Sequence, residues 1–202
     1  MTFTANSHQP FALFGQASSY SFPSGRFISR VSISQPKANV KKIMKKTYYI
    51  RRFRVDDADA VSALIIKTLR TTNIKDYSKE YIENDVKAFS PEGVIQRVSW
   101  THFYVVVYGE AIVGCGAIGP YWGKTDESSL FTIFVLPEYQ GKGIGRKIIE
   151  TLENDEFFLR SARIEIPSSI TACEFYKKMG YTYKNGKDVP DEEGLYRLEK
   201  FR

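Results

Sequence analysis

The sequence is poor in the residues that metal sites and disulfide bonds require. Among 202 residues it has two cysteines, Cys115 and Cys173, and two histidines, His8 and His102. The cysteines form no CxxC pair and have no zinc-ligand spacing, so we expect no metal site and see no sign of an oxidising compartment. The sequence also lacks an apolar run of about 18 residues, the length that a membrane-spanning helix needs. We therefore expect a cytoplasmic protein without a membrane partner.

Acidic residues are missing from the first 46 positions, which hold seven of the 29 lysines and arginines. The other 22 basic and all 23 acidic residues lie beyond them, so that part has a net charge of −1 although the whole chain has +6. The basic character belongs to the N-terminal segment, and we expect the rest not to bind nucleic acid. We predict a basic, serine-rich, disordered extension over residues 1–46 and one folded domain over residues 47–202.

Three interpretations of the N-terminal extension stay open. Its serine-rich, acid-poor composition is typical of a transit peptide, but it has only two arginines. It could instead be a basic arm that binds anions or nucleic acid. The segment MKKTYYIRRFR from Met44 looks like an ordinary protein start, which favours a dispensable extension upstream of it.

Hydrophobic periodicity beyond the extension predicts alternating strands and helices. The segment YYIRRFRV alternates and predicts a strand, and apolar residues in DDADAVSALIIKTLR recur at helical spacing. Further helices are predicted to begin at Ser78 and at Ser90-Pro91, and a hairpin to turn at Gly109-Glu110. The later segments predict strand, helix, strand, helix and two strands, in the order SLFTIFVL, RKIIETLENDEFFLR, ARIEI, ITACEFYKKMG, YTYKN and LYRLEKF. This order predicts a mixed sheet flanked by helices, α/β or α+β by class.

A glycine-rich loop joins one predicted strand to the next helix. The segment Thr132–Leu152, TIFVLPEYQGKGIGRKIIETL, has glycines at positions 141, 143 and 145. Pro137 ends the strand ladder, and the glycines permit positive φ and close approach of another molecule. The loop leads into a helix N-terminus, where unpaired amides and the helix dipole favour an anion. Taken alone, the pattern fits either a phosphate site or simple chain reversal.

Two motifs decide between these interpretations. A GxxxxGK[ST] loop is absent, and GxGxxG would need a glycine where Arg146 stands. The segment VLPEYQGKGIGRKII instead closely resembles motif A of the GCN5-related N-acetyltransferases (GNAT), [RQ]-x-x-G-x-[GA]. The segment Ser168–Tyr181, SSITACEFYKKMGY, resembles motif B of that family, with its aromatic-tyrosine pair at Phe175-Tyr176. Together they favour the phosphate site.

The resemblance covers about residues 47–201 and implies an acyl-CoA N-acyltransferase fold. In that fold a central, mostly antiparallel sheet is flanked by helices and splayed at the strand before the glycine loop. The resemblance also implies acetyl-coenzyme A as the cosubstrate, with its pyrophosphate on the loop amides and its pantetheine arm along the strand edge. The cofactor-binding residues implied in this way are Phe134, Val135, Gln140, Gly141, Lys142, Gly143, Ile144, Gly145 and Arg146.

The implied reaction is direct attack of an amine on the thioester in a ternary complex. Tyr176 matches the family's recurrent donor of a proton to the departing thiolate, although it could also only pack in motif B. An amine with a pKa of about 10.4 must lose a proton before it attacks. Glu127 is our first candidate for the base and Glu165 the second; either could instead be a solvated or salt-bridged carboxylate.

In the GNAT family the acceptor cleft lies between the loop joining the first two helices and the last hairpin. Here these are Thr71–Ser78 and Gly186–Gly194. The hairpin carries acidic residues that could attract a cationic small-molecule or peptide amine, or form a solvated turn: Asp188, Asp191, Glu192 and Glu193. The aromatic residues Tyr77, Tyr121 and Trp122 could line an apolar wall or be ordinary half-buried side chains.

Two other functions stay open. The domain could bind acetyl-coenzyme A without catalysis, as a sensor or interaction module, which would need no base. The basic extension could itself be the active part, and deletion of residues 1–43 would then abolish function. A homodimer is among the expected assemblies.

Overall fold

The computed structural model describes residues 47–202, so the predicted disordered extension, residues 1–46, lies outside the described residues. Seven strands are present in the described part: β1 (Tyr48–Arg52), β2 (His102–Tyr108), β3 (Ala111–Pro120), β4 (Glu127–Val135), β5 (Arg163–Ser168), β6 (Thr182–Tyr183) and β7 (Tyr196–Phe201). The same part has six α-helices: α1 (Ala58–Thr71), α2 (Lys79–Ala88), α3 (Pro91–Val98), α4 (Ile144–Glu153), α5 (Glu156–Arg160) and α6 (Cys173–Lys178). None of these helices is both long and apolar enough to cross a membrane.

The strands form one mixed sheet in the order β1-β2-β3-β4-β5-β7-β6. Every neighbouring pair is antiparallel except β4 and β5, which are parallel. These two pair only from Glu127 opposite Arg163 to Ser129 opposite Glu165. Both strands then continue without pairing to each other, so the sheet opens between them. The predicted mostly antiparallel sheet, splayed at the strand before the glycine loop, is confirmed.

A bulge bends β4 beside this opening. Thr132 and Ile133 together lie opposite the single residue Gly116 of β3. Thr132 has a φ of 53°, and its carbonyl accepts a hydrogen bond from Cys115 Sγ at 3.3 Å. A bulge of this kind adds a local bend and twist, and it turns the second half of β4 away from β5.

Each face of the sheet covers its own apolar core. Helices α1, α2 and α3 pack on one face, where Ile65, Ile82 and Val94 meet side chains of β2 and β3. Helices α4, α5 and α6 pack on the other face, around Ile149 and Leu152. Successive side chains of a strand point to opposite faces, which is why β2 serves both cores.

The prediction of one helix for RKIIETLENDEFFLR is wrong, because the segment forms two helices. The structure divides it into α4 and α5, because Asp155 caps a new helix by accepting a hydrogen bond from Phe157 N–H at 2.9 Å. Asp155 is buried and also accepts hydrogen bonds from His102 Nδ1 at 2.8 Å and Tyr104 Oη at 2.7 Å. These partners on β2 fix the break.

Helix α4 lies directly on the glycines of β3. A Cβ atom added to Gly116 would stand 2.4 Å from Ile148 Cγ2 and 3.3 Å from Leu152 Cδ1. The Ile148 methyl group is on a β-branched side chain with one preferred rotamer in a helix, so it has little freedom to move. The glycine therefore sets how close α4, and the loop before it, come to the sheet.

Gly116→Ala should lower the free energy of unfolding by about 2 kcal/mol, because the added methyl group overpacks the interface with α4. The measurement is urea denaturation of the wild type and the variant. The same substitution in an Ile148→Ala background should cost much less, because the clashing atom is gone. An equal cost in both backgrounds would contradict the close-packing explanation.

Candidate active site

Six consecutive backbone amides stand free at the start of α4. The N–H groups of residues 141–146 donate no hydrogen bond within the described part of the chain. Gln140 N–H donates to Pro137 O at 3.2 Å, and Lys147 N–H donates to Gly143 O at 3.1 Å, so the free run lies between them. The run therefore begins one residue later than the predicted start at Gln140.

Two glycines shape this run by their backbone conformation. Gly141 and Gly143 have φ angles of 70° and 81°, in the left-handed region that other residues rarely adopt. A Cβ atom at either position would meet no other atom within 4 Å, so the space before the amides is open. Gly143 is the N-cap of α4 and supplies no side-chain cap, which leaves the first-turn amides to an external acceptor.

The third glycine of the motif has a different structural reason. A Cβ atom at Gly145 would stand 3.1 Å from the ring of Phe175. Gly145 therefore allows α4 to pack closely against α6, where the motif B aromatic residues lie. The sequence pattern places all three glycines together, but only the first two need positive φ.

The charges around the loop favour an anion. Arg146 and Lys147 are exposed, and neither forms an ion pair within 4 Å among residues 47–202. Lys142 Nζ donates to Glu138 O at 2.7 Å and lies 5.1 Å from the ring centroid of Tyr139. Positive side chains and the N-terminal end of the α4 dipole thus surround the free amides.

The open edge of β4 adjoins this loop. Val135 O accepts a hydrogen bond from Gln140 Nε2 at 2.9 Å, while the adjacent bond to β3 runs from Leu136 N–H to Val113 O at 3.0 Å. Phe134 pairs with Cys115 of β3, and its ring packs edge-on against Phe89 at 5.7 Å. The side chain of Gln140 therefore joins the loop to the strand edge that an extended ligand would pair with.

Tyr176 lies in α6 with its ring buried and its hydroxyl unpaired. The residue is 5% exposed, and its ring contacts Phe175 and Tyr181 at centroid distances of 5.1 and 6.4 Å. Within the described residues the hydroxyl has no hydrogen-bond partner. Every fully enclosed polar side-chain atom there has one, so the Tyr176 hydroxyl oxygen keeps some contact with solvent. Burial raises the pKa of Tyr176 above its usual value, so the phenol keeps its proton at neutral pH.

The two candidate bases belong to a charge network around Arg163. Its guanidinium contacts Glu127 at 2.5 Å and Glu165 at 2.9 Å. Burial alone would raise the pKa of Glu165, but hydrogen bonds from Lys184 and Arg163 outweigh it and lower that pKa. Glu127 stands five residues before Thr132, about 16 Å along an extended strand. Both carboxylates therefore fit the salt-bridged interpretation better than that of a general base.

The two predicted acceptor loops meet across the open sheet. Tyr77 and Tyr81 stack at 4.7 Å, and their hydroxyls donate to Gly194 O and Glu193 O, each at 3.0 Å. Tyr77 Oη also accepts a hydrogen bond from Ile170 N–H at 2.9 Å. These contacts tie the segment between α1 and α2 to the last hairpin, and they leave Tyr77 little freedom to act as an apolar wall.

One arginine pairs with two of the four acidic residues of the hairpin. Arg197 contacts Asp191 at 2.5 Å and Glu193 at 2.7 Å. Asp188 and Glu192 are exposed and form no ion pair among residues 47–202. The hairpin therefore presents less free negative charge than its sequence indicates.

A cavity of about 710 Å³ adjoins the site. Its lining includes aromatic and charged side chains: Arg97, Trp100, Tyr121, Trp122, Phe131, Glu165, Lys184, Glu193 and Arg197. Tyr121 and Trp122 were predicted from the sequence as candidate wall residues, but Arg97 and Trp100 were not. No local signal marks these two residues, because Arg97 lies in the last turn of a short surface helix and Trp100 in the turn after it.

Sequence comparison finds relatives among acetyltransferases. Residues 99–183 match the sequence profile of the acetyltransferase (GNAT) domain. The chain is also similar to an uncharacterised N-acetyltransferase of Chlorobaculum tepidum, with 29% identity over 132 residues that cover 65% of this chain and 74% of the relative.

Solved structures share the fold. The PaiA N-acetyltransferase of Thermoplasma acidophilum, in complex with coenzyme A, has a TM-score of 0.67 at 17% identity, over 77% of this chain and 99% of its own. A GCN5-related N-acetyltransferase of Rhodopseudomonas palustris has a TM-score of 0.63 at 22% identity, over 77% of this chain and 96% of its own. Both are similar in fold to this chain over 77% of its length.

Proposed function

Because the chain belongs to the GCN5-related N-acetyltransferase family, and so is an acyltransferase, we propose that it moves an acetyl group from acetyl-coenzyme A to a primary amine. The observation that carries this proposal is the run of free amides at residues 141–146, placed at a helix N-terminus beside an open strand edge. The diphosphate of coenzyme A matches the free amides, and its extended pantetheine arm matches the open strand edge.

The loop can supply the binding energy that the donor needs. A charge-assisted hydrogen bond contributes about 1.5–3 kcal/mol. Three or four such bonds to the pyrophosphate, less the cost of association, would give micromolar affinity, on the order of −8 kcal/mol. The PaiA N-acetyltransferase, solved with coenzyme A, supports the same ligand for this chain. We assign the pyrophosphate to the amides of residues 141–146 and the pantetheine arm to the backbone of Phe134 and Val135.

The proposed reaction is direct attack within a ternary complex. The amine nitrogen forms a bond to the thioester carbonyl carbon, and the bond from that carbon to sulfur breaks. The thiolate takes its proton from Tyr176, whose phenol is protonated at neutral pH. The amine loses its proton to water, and the Tyr176 phenolate then regains a proton from water. We assign Glu127 and Glu165 to holding Arg163 in place, since both are paired with it. Holding both reactants in one cleft supplies much of the rate acceleration.

The direct test is release of free coenzyme A thiol from acetyl-coenzyme A in the presence of a panel of amines, with mass-spectrometric detection of the acetylated product. Turnover with any amine supports the proposal. Tight binding of acetyl-coenzyme A without transfer to any amine would favour the non-catalytic sensor instead.

Tyr176→Phe should lower kcat about 100-fold, because the thiolate would leave without a positioned proton donor. The dissociation constant of coenzyme A and the free energy of unfolding should change little, since the hydroxyl has no partner within the described residues. Steady-state kinetics and calorimetric titration measure these quantities.

Tyr181→Phe is the matched control for this substitution. Tyr181 is a buried tyrosine next to Tyr176, but its hydroxyl donates to Glu153 Oε1 at 3.3 Å. We expect its loss to affect stability and not kcat. A wild-type kcat for Tyr176→Phe would remove Tyr176 from the mechanism.

A further inference from the structure

The cavity of about 710 Å³ opens where β4 and β5 separate. Ser129 and Glu165 form the last paired position, and the cavity is lined by Phe131 and Pro167, which stand two residues further along each strand. Phe131 directly precedes the bulge at Thr132. The cavity thus reaches the part of the splay where the two strands begin to admit a ligand.

Aromatic side chains form one wall of the cavity. The ring of Phe131 lies edge-on to Trp100 at 5.1 Å and to Trp122 at 5.9 Å, and Trp122 also meets Tyr121 at 5.3 Å. Trp100 and Trp122 are 43% and 66% exposed although both are large and apolar. Exposed tryptophans grouped beside a cavity indicate a surface for the flat or apolar part of a ligand.

The carboxylates that line the cavity are already paired. Glu165 contacts Lys184 at 2.6 Å and Arg163 at 2.9 Å. Glu193 contacts Arg197 at 2.7 Å. Neither carboxylate is free to bind a cationic ligand, so an acceptor with extra positive charge gains little from this lining.

One cation on the lining has no acidic partner. Arg97 of α3 forms no ion pair within 4.0 Å among residues 47–202; it lies 4.4 Å from the ring centroid of Phe89, and its one hydrogen bond, to Ala88 O, is long at 3.4 Å. Partial burial lowers the pKa of Arg97, which the more distant Asp85 only partly offsets. Most of its five N–H donors stay unused, and a partly buried cation of this kind is stabilised by an anion.

We propose that the acceptor is an amine that carries a carboxylate on an aromatic or apolar body, and that Arg97 binds this carboxylate. The body lies against Trp100 and Trp122, and the amine points to the splay beside Phe131. This inference rests on the proposed function and names its acceptor class. It differs from the cationic amine that the acidic hairpin could attract, since Arg197 already pairs with Asp191 and Glu193 of that hairpin.

Binding can be measured without catalysis. The chain has two tryptophans, and both line the cavity, so intrinsic tryptophan fluorescence reports its occupation. The probes are two matched pairs: 4-(aminomethyl)benzoate with benzylamine, and phenylalanine with phenylalanine amide. We expect the carboxylate member of at least one pair to change the fluorescence at a concentration about 10- to 100-fold lower than its neutral partner, in the presence of coenzyme A.

Catalysis is measured with the same probes by thiol release. The carboxylate member should show the higher kcat/KM, and Arg97→Gln should bring the ratio within each pair close to one. Arg160→Gln is the matched control, because Arg160 also lies over an aromatic ring, at 4.7 Å from Phe157, and is not on the cavity lining. In Arg160→Gln the ratio of kcat/KM within each pair should equal that of the wild type.

The two proposals fail in different ways. Equal binding and turnover of both members of each pair, or a preference for spermidine or a lysyl peptide, would overturn the carboxylate assignment and leave acetyl transfer standing. No thiol release with any amine, while the fluorescence preference persists, would overturn the acetyl-transfer proposal and leave a carboxylate-binding cavity. A fluorescence preference unchanged in Arg97→Gln would remove Arg97 from the site.

Discussion

Gly143→Val should weaken the binding of coenzyme A by about 1,000-fold. Gly143 has a φ of 81°, which a β-branched residue adopts only with strain, so the loop would change its path before α4. The amides of residues 141–146 would then no longer face one point. Loss of two charge-assisted hydrogen bonds, about 1.5–3 kcal/mol each, corresponds to a change of this size. Isothermal titration with coenzyme A measures it.

Gly186→Val separates this loss from general strain. Gly186 has a similar φ of 70°, and a Cβ atom there would also meet no atom within 4 Å. It lies in the last hairpin, so its valine variant carries the same backbone strain far from the amide loop. We expect similar losses of stability in both variants but a weaker affinity for coenzyme A only in Gly143→Val. Wild-type affinity in a folded Gly143→Val protein would disprove the pyrophosphate assignment, and the acetyl-transfer proposal with it.

The fold was predictable where its signals are local. Apolar alternation, glycine turns and capping residues such as Ser78 and Ser90 gave the order of the elements, and both serines accept the expected N-cap hydrogen bonds. The break between α4 and α5 was not predictable, because Asp155 owes its position to His102 and Tyr104, about 50 residues earlier in the chain. A helical period continues through the break, and Asp155, although a favourable N-cap residue, does not by itself end a helix.

The candidate site also has features that follow from local sequence and features that depend on distant contacts. The pattern Gln140-x-x-Gly143-x-Gly145 predicted the free amides, because backbone conformation depends on nearby residues. It did not show that Gly145 faces Phe175, which is a contact between two helices. The roles of carboxylates were the hardest to predict, since a glutamate in a sequence does not reveal which cation the sheet register will bring beside it.

Arg163 is the cation that decides these roles. Its position in β5 places it opposite Glu127 of β4 and next to β7, where it contacts Glu199 at 3.1 Å as well as Glu165. The Arg163 side chain is 14% exposed and that of Glu165 only 2%. Burial alone would lower the pKa of Arg163, but its hydrogen bonds with Glu127 and Glu165 outweigh this and raise that pKa. The closed end of the splay is thus held by one arginine among three carboxylates.

Arg163→Met should lower the free energy of unfolding by about 3 kcal/mol at pH 7, because Glu127, Glu165 and Glu199 lose the one cation that all three contact. Urea denaturation measures the change. Arg70→Met is the matched control: Arg70 forms a similar two-bond contact with Glu83, but both side chains are exposed, so we expect stability to stay close to that of the wild type. Equal effects of the two substitutions would contradict a special role for Arg163.

The pH dependence of the Arg163→Met variant gives a second, independent signature. In the wild type the pKa of Glu165 is lowered, so its contribution is fully present above the unfolded value of about 4.3 and is lost as pH falls through the lower folded value. In the variant Lys184 at 2.6 Å and Arg197 at 3.8 Å still face Glu165, but the hydrogen bond from Arg163 is gone, so the pKa of Glu165 should rise towards its unfolded value. The folded variant then takes up this proton at about the same pH as the unfolded chain, so it should lose less stability than the wild type as the pH falls below about 4.3. The difference in unfolding free energy between the two proteins should therefore shrink over that range, and a constant difference would show that Arg163 acts by packing rather than by charge.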